Sequence, residues 1–147
     1  MTISAGDIAP DFSLKNQFGE TVTLSGYLEK GAVALVFFPL AFSGICTGEL
    51  CELRDNITSF VDDNVQVIGI SVDSHFTQRA FAEREGYEFP MLADFWPHGG
   101  VARSYGVFLE EAGIANRATF LIGADGRVVS TIVTEPGQAR DLSAYRD

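Results

Sequence analysis

Two apolar segments constrain the fold of this chain more than any other feature. Ala32–Phe38 is unbroken in its apolar character, and Val65–Val72 is mostly apolar. Such near-continuous hydrophobicity is typical of strands that are covered on both faces of a sheet. Gly48–Asp62 lies between them and carries apolar residues at helical spacing, which predicts a helix. The order strand, helix, strand therefore places Val33–Phe38 and Val65–Val72 at the centre of a sheet.

The rest of the chain extends this alternation and then ends in a hairpin. We predict strands at Phe12–Leu14, Thr21–Leu24, Phe89–Leu92, Ala118–Ile122 and Arg127–Val133, and helices from Ser74 or Thr77 to Glu85, at Val101–Tyr105 and at Gln138–Tyr145. This order predicts an α/β protein with a central mixed β-sheet flanked by helices and an N-terminal β-hairpin extension, which is the order of a thioredoxin-like fold. We expect residues 1–147 to form a single domain.

The composition argues against two classes of partner. The formal net charge is −10 and the pI is near 4.5, whereas nucleic acids and anionic membranes attract clustered Lys and Arg. The N-terminal residues lack the basic and apolar regions of a signal peptide. The longest apolar run, Ala32–Phe42, is interrupted by Pro39 and is too short to cross a bilayer. We therefore expect a cytoplasmic protein.

Both cysteines, Cys46 and Cys51, follow the first apolar run at its junction with the predicted helix. Backbone N–H groups and the helix dipole stabilise an anion at such a junction, which favours the thiolate form of Cys46. Cysteines in a cytosolic protein are more often catalytic or redox-active than structural. A redox function is therefore the leading interpretation.

The neighbours of Cys46 complete a known pattern. Pro39, Ser43 and Cys46 match the Pro-x-x-x-Thr/Ser-x-x-Cys pattern of peroxiredoxins, and Arg117 matches that family's distal arginine. Three flanking segments resemble the alkyl hydroperoxide reductase E type of actinobacteria: Phe37–Phe42, Asp94–Gly99 and Tyr105–Arg117. The resemblance covers about Gly6 to Gly137. It implies a thiol-specific peroxidase that reduces hydrogen peroxide, organic hydroperoxides or peroxynitrite through a cysteine sulfenic acid.

The chemistry of these side chains suits that reaction. The Cys46 thiolate attacks a peroxide oxygen, and the guanidinium of Arg117 can stabilise both the thiolate and the leaving oxygen. The Ser43 hydroxyl can donate and accept hydrogen bonds, and the rigid ring of Pro39 can limit water near the sulfur. Glu49 resembles the family's acidic residue that helps to hold the arginine.

Each of these residues also has an ordinary structural interpretation. Cys46 could be a small buried apolar residue, Pro39 a strand end, and Ser43 a helix cap. Arg117 could be a surface charge, and Glu49 could interact only with the dipole of its own helix. The joint match of Cys46, Pro39, Ser43 and Arg117 to one pattern favours the catalytic interpretation of these four residues, whereas both interpretations of Glu49 stay open.

Cys51 departs from the single-cysteine mechanism usual for the alkyl hydroperoxide reductase E type. Its position five residues after Cys46 resembles the resolving cysteine of the bacterioferritin-comigratory (PrxQ) group. In a regular helix the two Cα atoms would lie about 8–9 Å apart, beyond the roughly 7 Å limit for a disulfide. A disulfide therefore requires the helix start to unwind. The alternative is that Cys51 is a core residue on the helix face.

The resemblance also implies partners. An external thiol protein of the thioredoxin or mycoredoxin type would restore the enzyme, and a homodimer would form near the active site. Phe95–Pro97 could be core, or the rim of a substrate pocket and a dimer contact. His75 and His98 do not have the spacing of a zinc motif, so we expect no metal and no other cofactor.

Two other functions remain open from the sequence. One is a thiol–disulfide oxidoreductase with the same fold, although the chain lacks a Cys-x-x-Cys motif. The other is a thioredoxin-fold binding domain without catalysis.

Overall fold

The computed structural model describes residues 3–42 and 65–134. The predicted helices Gly48–Asp62 and Gln138–Tyr145 lie outside these residues. The strands are β1 (Ser13–Lys15), β2 (Thr21–Thr23), β3 (Ala32–Phe37), β4 (Val65–Ser71), β5 (Met91–Ala93), β6 (Phe108–Leu109), β7 (Ile114–Ala115), β8 (Arg117–Ile122) and β9 (Val128–Thr134). The described helices are α1 (Leu24–Leu28), α2 (His75–Glu85) and α3 (Gly100–Ser104).

The main sheet has seven strands in the order β2-β1-β5-β4-β3-β8-β9. Strand β3 pairs with β4 in parallel and with β8 in antiparallel, and β5 continues the parallel part on the far side of β4. The predicted central strands and the predicted mixed sheet are therefore confirmed. Their apolar character follows from this position, because a strand paired on both edges has both faces covered by protein.

Helices cover both faces of the sheet, and the side chains of β3 alternate between them. Val33, Leu35 and Phe37 face a core that also contains residues of α1 and α3. Val36 and Phe38 face a second core formed with Phe81 and Ala82 of α2. These four side chains of β3 and that of Phe38, directly after it, are at most 2% exposed. Burying each one completely contributes about 1.5–3 kcal/mol, so this strand anchors both layers.

Helix α2 begins and ends where its sequence predicts. Ser74 is the N-cap, and its side chain accepts a hydrogen bond from the Thr77 N–H, which decides between the two predicted caps. Gly86 ends the helix in a left-handed conformation with φ of 72°. Glycine adopts this conformation without the steric cost that a Cβ brings.

The N-terminal hairpin differs from the prediction in two respects. Leu24, predicted as the end of a strand, begins helix α1 because the Thr23 side chain caps the helix through the Gly26 N-H. Strand β1 also pairs with β5 through Lys15 and Ala93, so the hairpin forms one edge of the main sheet. The two-residue strands β6 and β7 form a separate ribbon. They were not predicted, since two residues are too few to show a periodicity.

The connection from β5 to α3 is fixed at both of its ends. The Asp94 carboxylate is 2% exposed and accepts hydrogen bonds from the N–H groups of Val101 and Ala102. Burial raises the pKa of Asp94, and these two donors oppose the rise. Gly99 has φ of 68°, and a Cβ on it would overlap the ring of Phe108. Both ends of the connection therefore tolerate little change.

In the described residues, no helix is long and apolar enough to span a membrane.

Candidate active site

Pro39 and Arg117 lie at the same edge of the sheet. In the pairing of β3 with β8, Phe37 is opposite Ala118, so the next pair outward is Phe38 with Arg117. Pro39 follows immediately and is buried. The two predicted site residues that the structure describes therefore lie at the edge of the sheet where β3 ends and β8 begins, although 77 positions separate them in the sequence.

Arg117 is a buried cation. It is 2% exposed and belongs to the largest fully buried side chains of the described chain. It is the first residue of β8, not a residue before the strand as predicted. Because side chains alternate along a strand, Arg117 is on the face opposite to Ala118 and on the same face as Phe38. The interpretation of Arg117 as a surface charge is therefore wrong.

The segment after β3 leaves the sheet at Pro39. The Phe38 N–H still donates to the Ile70 carbonyl oxygen at 3.0 Å, but a proline has no N–H to continue the pairing. The Ala41 N–H instead donates to the Asp73 carboxylate at 2.8 Å. Phe42 adopts φ of 67°, which is uncommon for a bulky residue. The backbone after Pro39 is therefore still held in a defined conformation, although it is no longer part of the strand.

Aromatic and cationic contacts hold the end of this segment. The ring of Phe42 packs against Phe81 of α2, with their centroids 4.9 Å apart. The Arg84 guanidinium lies over the Phe42 ring at 5.6 Å from its centroid. These contacts keep Phe42, the last described residue before Ser43, against α2.

A buried polar network, which the sequence did not predict, supports the same edge. Ser71 donates from its hydroxyl to Asp73 at 2.6 Å. Gln78 of α2 donates from Nε2 to Ser71 Oγ and to the Leu92 carbonyl oxygen, each at 2.8 Å. Its Oε1 is buried without a hydrogen-bond partner among the described residues. The one feature of the sequence that could have indicated this network is the pair of polar residues, Ser71 and Asp73, at the end of an apolar strand.

The other predicted site residues lie outside the described ranges. They are Ser43, Cys46, Glu49 and Cys51. Of the predicted catalytic set, the structure therefore brings together Pro39 and Arg117.

Three exposed aromatic side chains form an aromatic patch: Phe76, Phe95 and Trp96, with exposed fractions of 75%, 54% and 80%. All three line a cavity of about 600 Å³ between the N-terminal hairpin, the start of α2 and the segment after β5. Pro97 is also exposed. The interpretation of Phe95–Pro97 as core is therefore wrong.

The two histidines have ordinary local contacts. His98 Nε2 donates to the Gly113 carbonyl oxygen at 2.6 Å, and His75 stacks on Phe76 with ring centroids 4.1 Å apart. Within residues 3–42 and 65–134, no three His, Cys, Asp or Glu side chains are grouped closely enough to hold a metal ion.

Comparison with known proteins explains this arrangement. The AhpC/TSA family matches residues 5–131 of the chain. This chain belongs to the AhpC/TSA family. It is 46% identical over 145 residues to alkyl hydroperoxide reductase E of Mycobacterium tuberculosis, covering 99% of this chain and 95% of that protein.

Two further similar proteins agree with this membership. The chain is 37% identical over 132 residues to peroxiredoxin Bcp of Escherichia coli, covering 86% of this chain and 83% of that one. The crystal structure of peroxidoxin BcpB from Mycobacterium tuberculosis matches with a TM-score of 0.88 and 33% identity, covering 98% and 93% of the two chains. The predicted thioredoxin-like fold and the predicted thiol-dependent peroxidase are therefore confirmed.

Proposed function

We propose that this AhpC/TSA-family peroxidase uses Cys46 as its attacking thiolate, with Arg117, Ser43 and Pro39 completing the site. The observation that supports this most directly is the buried cation of Arg117 beside the end of β3. Cys46 follows Phe42 by four residues, and four residues of chain reach at most about 14 Å. The chain connection is therefore short enough to let the Cys46 thiol reach the edge of the sheet that Arg117 and Pro39 share.

The proposed reaction is a two-electron oxidation of the thiolate. The Cys46 sulfur attacks the terminal peroxide oxygen, so an S–O bond forms while the O–O bond breaks. The leaving oxygen keeps the bonding electron pair and takes up a proton, departing as water from hydrogen peroxide or as an alcohol from an organic hydroperoxide. With peroxynitrite the leaving group is nitrite. The enzyme is left as the sulfenic acid of Cys46.

Arg117 is the group best suited to stabilise this transition state. Negative charge develops on the leaving oxygen, and a guanidinium presents several donors in a fixed plane. Its burial matters because an electrostatic interaction is stronger where water is excluded. The overall charge of −10 opposes a thiolate at long range, so a nearby cation is needed to favour that anion. Glu49 is proposed to help hold the arginine.

Cys51 is proposed to resolve the sulfenic acid. Its thiolate attacks the Cys46 sulfur, the S–OH oxygen leaves as water after taking up a proton, and an S–S bond forms. A dithiol protein of the thioredoxin or mycoredoxin type then reduces this disulfide with two electrons and two protons. Because the i, i+5 spacing is too long for a disulfide in a regular helix, resolution requires local unwinding.

We also propose a homodimer that associates through the aromatic patch. In a two-fold dimer the same patch on each subunit must fit its own copy. The patch offers protruding rings, Trp96 foremost, directly beside a cavity of about 600 Å³ that could receive them. Large exposed apolar groups that cluster in this way are typical of association surfaces.

The remaining proposals concern the setting of the enzyme. We propose that residues 1–147 form one domain, since one sheet takes strands from Ser13 to Thr134. We propose a cytoplasmic enzyme that serves in antioxidant defence and cell redox homeostasis.

Cys46→Ser is expected to abolish peroxide consumption while leaving the fold intact, because an alkoxide does not form as a thiolate does and the substitution is nearly isosteric. Peroxide loss would be followed with a thiol reductant present, and circular dichroism would check the fold. Cys51→Ser is the matched control and is expected to keep the first oxidation. If Cys46→Ser retains most activity, or if the wild type reduces insulin disulfides without consuming peroxide, the proposal is wrong.

Arg117→Lys is expected to slow oxidation of Cys46 although the positive charge is kept, because the planar set of donors is lost. Loss of about 2–4 kcal/mol of transition-state stabilisation corresponds to roughly 10²–10³ in rate. Stopped-flow measurement of the second-order rate constant checks this. Arg127→Lys, at an exposed turn that bonds the Gly6 carbonyl oxygen, is the control. Wild-type kinetics in Arg117→Lys would remove this residue from the site.

Cys51→Ser is expected to react once with peroxide and then stop as sulfenic acid or proceed to sulfinic acid. Wild-type protein treated with one equivalent of peroxide should instead lose two hydrogen atoms (two protons and two electrons) and carry a Cys46–Cys51 disulfide. Intact mass and peptide mapping distinguish these products. Detection of Cys46 sulfenic acid with Cys51 still a free thiol in the wild type would support the single-cysteine mechanism instead.

Trp96→Ser is expected to weaken association, since it removes the most exposed ring of the aromatic patch. Light scattering coupled to size-exclusion chromatography would show a shift from dimer toward monomer as concentration falls. Ile8→Ser is the control, because Ile8 is 68% exposed but does not line the cavity. A wild-type monomer, or an equal shift in both variants, would contradict the proposed interface.

A further inference from the structure

We propose that Asp73 is a positioning residue for the peroxidatic cysteine. Its carboxylate fixes the backbone of Pro39–Phe42, the segment that leads to Ser43 and Cys46. This inference rests on the proposed role of Cys46. Asp73 lies beyond the end of β4, 27 residues from Cys46 in the sequence, and belongs to neither the cysteine segment nor the arginine strand.

The contact that carries the inference is a single hydrogen bond at a point of divergence. Up to Phe38, strand β3 is held by pairing with β4. Pro39 cannot continue that pairing, and two residues later the Ala41 N–H donates to Asp73 Oδ2, beyond the end of β4, at 2.8 Å. A charged acceptor forms stronger bonds to N–H groups than a neutral one. Asp73 therefore holds the backbone of this segment at the point where the hydrogen bonds between β3 and β4 end.

The carboxylate is itself held in place. The same oxygen, Oδ2, accepts the Ser71 hydroxyl at 2.6 Å, and Ser71 Oγ accepts from Gln78 Nε2 at 2.8 Å. Ser71 and Gln78 are 1% and 0% exposed. Ser71 uses its one donor on Asp73 and an acceptor site on Gln78, so its orientation is determined. The chain of bonds links Ala41 to the body of α2 and, through Gln78, to Leu92 of β5.

A carboxylate is not an expected neighbour for a site that needs a thiolate. Like charges disfavour each other, so the charge of Asp73 alone would raise the pKa of a nearby thiol and reduce the thiolate fraction. Its presence is explained if the benefit of a fixed backbone exceeds that electrostatic cost. The two effects have opposite signs, and this difference allows an experiment to separate them.

The experiment compares Asp73→Ala with Asp73→Asn. Both remove the charge, but the amide oxygen of asparagine can still accept the Ala41 N–H and the Ser71 hydroxyl, whereas alanine can accept neither. The readouts are the second-order rate constant for oxidation of Cys46 by hydrogen peroxide and the pKa of the Cys46 thiol from the pH dependence of alkylation. Circular dichroism confirms that each variant is folded.

Asp73→Ala is expected to slow oxidation by about 10- to 100-fold, the scale of a misplaced reacting group, and to raise the Cys46 pKa. Asp73→Asn is expected to restore the rate to within about 3-fold of the wild type, a difference below 1 kcal/mol. Asp7→Ala is the matched control. Asp7 Oδ2 also accepts one backbone N–H and one serine hydroxyl, both from Ser4, at an exposed turn, and its loss should leave both readouts unchanged.

Several results would contradict the proposed role of Asp73. Wild-type rates in Asp73→Ala would overturn the proposal. So would an equal loss of rate in both variants, or an equal fall of the thiol pKa in both, because each would show that Asp73 acts through its charge. If Asp73→Ala does not fold, Ser71→Ala tests the same chain of bonds and should lower the rate without changing any charge. A wild-type protein that does not react with peroxide would refute the proposed function on which this inference rests, a result distinguishable from one in which only the Asp73 variants behave contrary to expectation.

Discussion

The pairing of β3 with a strand on each side is the constraint on which the site depends. Its parallel partner brings Asp73 to the edge where β3 ends, and its antiparallel partner brings Arg117 to the same edge. Side chains alternate strictly along a strand, so a slip of one residue between β3 and β8 would move Arg117 to the opposite face. The buried side chains of β3 exclude such a slip, because they fit two different cores. Core packing therefore determines where the cation lies.

Burying the charged side chain of Arg117 is energetically unfavourable by itself. A buried cation must be compensated by its surroundings, and removing the compensation from a buried ion pair typically costs about 3–5 kcal/mol. The chain nevertheless buries Arg117 and places the Asp73 carboxylate near the same edge, within a protein whose net charge is −10. An apolar residue at position 117 would fill the same buried position without the desolvation free energy of a cation. The buried guanidinium is therefore better explained by chemistry at this edge than by the needs of folding.

Sequence patterns predicted the architecture well because its strongest signals are local. The apolar runs at β3 and β4, the Ser74 cap and the Gly86 terminus each reflect a requirement that neighbouring residues impose. The exposed positions of Phe95 and Trp96 were left open, since an apolar run in a connection looks the same whether it is buried or not. The burial of Arg117 likewise could not be predicted from the sequence, because it depends on β3 and β9 lying on either side of β8.

The polar network was missed for a different reason. A bond from Asp73 to the Ala41 N–H leaves no trace in the identity of Ala41, since every residue except proline carries the same N–H. From the sequence, Ser71 and Asp73 could be recognised only as polar residues at the end of an apolar strand, and their hydrogen-bond partners could not be predicted. Tertiary contacts between a side chain and a distant backbone group are the class of interaction that residue patterns convey least.

The connection between β5 and α3 separates the residues that the fold requires from residues that the fold does not require. Asp94 and Gly99 bear the structural demands at its two ends, through backbone hydrogen bonds and through the close approach of Phe108. The two residues after Asp94, Phe95 and Trp96, extend into solvent and take no part in either core. Substitutions there can accumulate over evolutionary time without endangering the fold. The surface that this connection presents is therefore constrained by what it associates with, which is the proposed dimer contact, and not by the packing of the architecture beneath it.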